Sequence, residues 1–134
     1  MRVHVGPIAS GSALLWIDYA RGVLADRATG PDAPPSDVIT AFVGYLDMWQ
    51  EVADASSTFL WEADVDAEQV QFLALALFRV ASQVYDTVSV GRFPVMPDES
   101  IPFYRAMVEA FLDAMVEEGG SLGAYAEELR STWP

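Results

Sequence analysis

The chain of 134 residues has no cysteine and a single histidine, His4, and lysine and asparagine do not occur in it at all. Each absence excludes chemistry. Without a thiol there is no nucleophilic cysteine, no zinc ribbon, no iron–sulfur centre and no disulfide scaffold. Without lysine no Schiff base can form. With one imidazole near the N-terminus, no histidine pair can complete a catalytic dyad or a transition-metal cage. No catalytic residue, no metal and no cofactor is therefore expected. Long apolar runs are also missing. The longest, Phe72 to Phe78, is far too short to span a bilayer. The N-terminal stretch has Arg2 ahead of apolar and small residues, as a signal peptide does. Pro7, Ser10 and Ser12 interrupt it, so it is not expected to act as one, and a cytoplasmic protein is expected.

Base is scarce: seven arginines face twenty acids, giving a net charge of −13. Lysine and asparagine share codons that begin AA, so their joint absence fits the codon usage of a high-GC bacterium. The charge repels nucleic-acid backbones and anionic membranes, so neither is expected as a partner, and it favours a basic protein. Apolar residues make up 52 % of the chain, against about 45–50 % for soluble domains even with glycine counted. That surplus implies a homodimer interface or a lined pocket.

The length suits one domain over 1–134. The loop around Gly30, Pro31, Pro34 and Pro35 is the clearest break. After it, Phe42, Leu46, Trp49 and Val52 recur at helical spacing, which predicts an amphipathic helix from Ser36 to about Ala55. Residues 56–63 form an apolar linker, either a short strand or a lid. Asp66 with Gln69 makes a capping box for a helix over 67–86 that is apolar nearly all round, as a central helix is. Asp98 or Ser100 opens a further helix with a stripe from Tyr104 through Met107, Val108, Phe111, Leu112 and Met115 to Val116. Beside it runs a small-residue stripe, Ala106, Ala110 and Ala114. Gly119-Gly120 ends this helix, and Ser121 caps a last short one. Leu14 to Ala25 fits a helix capped by Ser12 slightly better than a β-hairpin turning at Tyr19 to Gly22. The expected fold is all-α: a compact bundle of four to five helices around the helix at 67–86, with a short β-hairpin near the N-terminus as the alternative. The homodimer contact is expected at the alanine stripe or at 59–61.

Several patterns carry possible chemistry. Gly119-Gly120-Ser121-Leu122-Gly123 matches G-x-S-x-G, but a helix precedes it and no histidine follows, so it reads as a helix joint. Asp64, Asp66 and Glu68 alternate like calcium-loop ligands but lack the loop's glycine and distal glutamate, and read as helix-capping acids. Two acidic ladders, Asp47/Glu51/Asp54 and Glu109/Asp113/Glu117, read first as solvated faces and second as a landing surface for arginine. Arg79 interrupts the most apolar helix. It either pairs with a carboxylate such as Glu62 or Asp86, or faces a cavity and awaits an anion. Trp61, Arg79, Tyr85, Arg92 and Phe93 are the candidate binding residues of such a pocket.

These observations favour a small acidic, non-enzymatic protein-interaction or regulatory module, with a second copy of itself and a basic protein as the expected partners. The alternative is a small-molecule binding protein or enzyme using Arg, Tyr and carboxylates in a pocket within the bundle. A weaker one is a DNA mimic that inhibits a basic protein.

Overall fold

The computed structural model describes residues 1–27, 36–74 and 97–131. The chain is mostly helical, with one short two-stranded antiparallel sheet. Strand β1 (Arg2–Ala9) runs directly into helix α1 (Ser10–Arg27); helix α2 (Ser36–Ala55) leads to strand β2 (Thr58–Asp64). Helix α3 is described over 67–74. A single 3-10 turn, Asp98–Ser100, then opens α4 (Ile101–Glu118), and α5 (Gly120–Ser131) follows. No described helix is long and apolar enough to cross a membrane.

The sheet is not a local hairpin. β1 pairs with β2, far along the chain, in the register Arg2↔Asp64, Val3↔Ala63, His4↔Glu62 and Val5↔Trp61. Val3, Val5, Phe59 and Trp61 point into the core, while Arg2, His4, Leu60, Glu62 and Asp64 point outward. This is the period-two alternation of a strand with one wet face. Between Val5 and Ile8 the register slips, because Gly6 and Pro7 together oppose Leu60 alone. Gly6 occupies φ +109°, open to glycine but not to side-chain-bearing residues, and the Gly6–Pro7 bond is cis. Two backbone hydrogen bonds between Met1 and Val65 extend the ladder by one pair.

Residues 10–27 are helical, as favoured, but the helix starts at Ser10, ahead of Ser12. The reason lies in tertiary contacts. Ser10 N–H donates to the Ser57 carbonyl and Ser10 Oγ to the Ser56 carbonyl, which fixes the strand-to-helix joint against the α2–β2 joint. Ser12 caps a different helix: its Oγ accepts from Phe103 N–H, in the first turn of α4, at 3.2 Å. The linker adopts the strand of its two alternatives.

The Asp66–Gln69 capping box is present. Gln69 N–H donates to Asp66 Oδ1 at 2.8 Å, and Asp66 N–H donates to Gln69 Oε1 at 3.0 Å. Asp66→Ala is expected to lower stability by about 1 kcal/mol, the usual value of an N-cap, read from urea melts. The central-helix reading of 67–86 lies outside the described residues beyond 74. Within them Val70, Leu73 and Ala74 are buried.

α4 buries Phe103, Tyr104, Met107, Val108, Phe111, Leu112, Ala114 and Met115, so its predicted stripe holds up to Met115. Val116, expected in that stripe, is exposed because it lies two turns beyond Glu109, in line with it on the outward face of the helix. α4 ends at Gly119, at φ +78°, whose N–H donates to the Met115 carbonyl. Ser121 lies inside α5, which already begins at Gly120.

The described elements share one core. Aromatic pairs run through it. Phe59 meets Phe103 edge-on at 5.1 Å, Phe103 meets Trp16 at 5.6 Å, and Trp16 stacks on Tyr104 at 6.0 Å. A second group joins Phe42, Trp49, Trp61 and Phe111. Each such pair adds about 0.5–1.5 kcal/mol beyond the area it buries.

Candidate functional site

Two features hold polar groups in defined geometry: the outer face of the sheet, and the aromatic interior. On the sheet, alternation and register place His4 opposite Glu62 and Arg2 opposite Asp64. His4 Nδ1 and Glu62 Oε1 share a hydrogen bond. Arg2 donates to Glu62 Oε2 at 3.0 Å and to Asp64 Oδ2 at 3.3 Å. The hydrogen bonds from His4 and Arg2 hold the Glu62 carboxyl below its ordinary range. All four side chains are roughly half exposed or more. An imidazole–carboxylate pair can move a proton, but no hydroxyl or thiol accompanies it among the described residues that bond to it. Its physical effect is cross-strand attraction that fixes the sheet register.

A depressed carboxylate pKa in the folded state favours folding above the ordinary glutamate range, and that advantage disappears as pH falls through the depressed value. Exposure to solvent keeps it small. Side-chain NMR titration should therefore give Glu62 a midpoint below that of an ordinary glutamate. In the double variant His4→Ala/Arg2→Ala the midpoint should rise to the ordinary value. An unchanged midpoint would show that these partners do not set it.

In the interior, Trp16 Nε1, Tyr19 Oη and Trp49 Nε1 are buried with no hydrogen-bond partner among the described residues. Burial raises the Tyr19 phenol pKa, so it stays a neutral donor at physiological pH. Trp16 and Tyr19 lie one turn apart on α1 and share a face. The sequence offered a signal for them, the i,i+3 spacing of two aromatic residues, which the hairpin alternative obscured.

Of the candidate pocket residues, Trp61 is described and is only 7 % exposed, held between Trp49 at 5.7 Å and Phe111 at 6.2 Å. It is a core residue. Arg79, Tyr85, Arg92 and Phe93 lie outside the described residues, as does Asp86. Glu62, offered as a buried partner for Arg79, instead faces outward and is engaged by Arg2 and His4.

The acidic ladders are exposed along their length. One member of each ties helices together: Asp47 accepts from Arg21 at 2.7 Å, joining α2 to α1, and Asp113 accepts from Arg130 at 2.6 Å, joining α4 to α5. Arg21 also donates to Gln50 at 2.8 Å. Like charges at i,i+4 are thus partly offset by arginine from the neighbouring helix. Glu51, Asp54, Glu109 and Glu117 enter no ion pair among the described residues. No group of three or more histidines or acids converges there in a way that could hold a metal. The G-x-S-x-G stretch is the α4–α5 joint, with Gly119 and Gly120 both at positive φ and Gly123 N–H bonded to the Gly119 carbonyl. No family model, no curated protein and no solved structure matches this chain.

Proposed function

We propose that this chain is a non-enzymatic interaction module that works as a homodimer and presents acidic faces to a basic partner in the cytoplasm. The observation that carries the reading is the sorting of its charges. Arginines 2, 21 and 130 each enter an intrachain pair, while Glu51 and Asp54 on α2 and Glu109 and Glu117 on α4 stand in solvent. Faces with surplus acid raise the local concentration of cations and steer a basic surface inward. The histidine and its carboxylate pair across the sheet, where they hold its register.

In this reading one domain spans the chain, with the helices packed as a bundle against the two strands. Of the contacts first expected, the linker at 59–61 keeps Leu60 exposed, at 50 %. Ala114 is buried in the chain's own core, Ala106 and Ala110 pack against that core, and Phe59 and Trp61 point inward.

A second reading, a small-molecule binding protein, is favoured by the three buried polar atoms of Trp16, Tyr19 and Trp49, since unpartnered donors are satisfied by water or ligand in most folded proteins. Native mass spectrometry of the freshly purified chain separates the two. A mass of twice the 14.6 kDa protomer with no added molecule is expected. A stoichiometric small-molecule adduct would replace the first reading with the second.

A further inference from the structure

The outward face of α1 is the least charged helix face described on a strongly acidic chain. Gly11, Leu15, Asp18, Gly22 and Ala25 are all exposed, and their spacing of four, three, four and three residues aligns them in one stripe. Leu14, Arg21 and Leu24 flank the stripe, half-buried. Leu15 is 42 % exposed, one of three large apolar side chains so exposed among the described residues. A surface helix ordinarily turns charge to water on the side opposite the core. α2 does so with Asp37, Asp47, Glu51 and Asp54, and α4 with Glu109, Asp113, Glu117 and Glu118. α1 places a single acid, Asp18, in the middle of a glycine, alanine and leucine face.

Charge identifies the occupant. A basic partner is drawn to α2 and α4, whereas a second copy, itself at −13, is repelled by them. In sequence α1 balances Asp18 and Asp26 with Arg21 and Arg27, and β1 before it carries Arg2 and no acid. The approach of two copies is least opposed there. The face also holds both signs in the right order. Asp18 enters no ion pair among the described residues, and Arg21 reaches Asp47 and Gln50 through Nη2, leaving the N–H groups of Nε and Nη1 to bond elsewhere.

We propose that α1 packs antiparallel on α1 of a second copy, about a two-fold axis passing between Asp18 and Gly22. This rests on the homodimer reading above and names its surface. In that register Leu15 of each copy lies over Gly22 and Ala25 of the other, and Asp18 of each stands beside Arg21 of the other. Every contact is made twice, as a two-fold interface requires. Side chains at Gly11 and Gly22 would meet nothing within 4 Å in the protomer, so the fold itself does not require glycine there. Their absence lets two helix axes approach to the short end of the usual range, about 8 Å.

Sedimentation equilibrium of the full chain, carried into the high micromolar range, tests this with three variants. Gly22→Gln adds a good helix former where the protomer has space, and Leu15→Glu adds charge to the stripe. Val116→Glu makes the same kind of change on α4. The unmodified chain and Val116→Glu are expected to dimerise alike. Gly22→Gln and Leu15→Glu are expected to weaken the dimer by about tenfold or more, with thermal midpoints, read at concentrations where all the chains are monomeric, no lower than that of the unmodified chain. A dimer that Gly22→Gln and Leu15→Glu leave intact overturns the α1 surface while the homodimer stands. A monomer at every concentration overturns both.

Discussion

Gly6→Ala is expected to lower stability by about 3 kcal/mol, from the sum of an unfavourable backbone region and a forced shift in the sheet. Gly6 sits at φ +109°, and a Cβ built on it would fall on the Phe59 carbonyl oxygen of the neighbouring strand, a backbone atom with no rotamer to escape through. Phe59 is fully buried against Phe103, so β2 cannot retreat without opening the core. Gly11→Ala and Gly22→Ala provide the contrast. Gly11 lies in the first turn of α1 and Gly22 further along it, both in open space within the protomer, and at concentrations where the chain is monomeric these changes are expected to raise stability by about 0.5–1 kcal/mol each. Urea melts of the three variants read the difference directly. A Gly6→Ala protein as stable as the parent would show that the bulge between Val5 and Ile8 is not built as described.

The second large effect is at Trp16. The indole is completely buried and touches Phe103 and Tyr104, so Trp16→Ala is expected to cost about 3–5 kcal/mol through lost burial and a cavity. Trp16→Phe should behave very differently. It keeps an aromatic ring and removes a donor with no partner among the described residues, and an unmet buried donor itself costs about 1–3 kcal/mol. The smaller ring and the relieved donor nearly offset, so a loss of about 1 kcal/mol or less is expected. If phenylalanine costs nearly as much as alanine, the indole N–H has a partner that matters, and a bound molecule in the interior gains support.

Legibility in the sequence followed locality. The α2 pattern, the Asp66–Gln69 box, the α4 stripe to Met115 and the glycine joint after it are set by neighbours within a turn or two, and they appear where the pattern placed them. β1 was hidden because Gly6 and Pro7 cut its alternation after Val5, leaving too short a run to declare a strand. Its partner lies across the whole of α1 and α2, and that pairing has no local signature. Ser12 shows the same limit: it was legible as a cap, but which helix it caps depends on how α1 meets α4. Trp61 was assigned to the pocket expected around Arg79, whose other members lie outside the described residues, from residue types that can bind ligands. Tryptophan is as suited to a core, and here it packs against Trp49 and Phe111. Glu62 looked available to Arg79 until strand register turned it outward to Arg2 and His4.

Whether this acidic chain works by associating with itself is tested most directly by sedimentation equilibrium of the unmodified chain at low and at high salt. The expected result is a reversible dimer that tightens as salt rises, because screening of the repulsion between two copies at −13 outweighs the weakening of a few exposed ion pairs. A species of 14.6 kDa at both salt concentrations, into the high micromolar range, would contradict it.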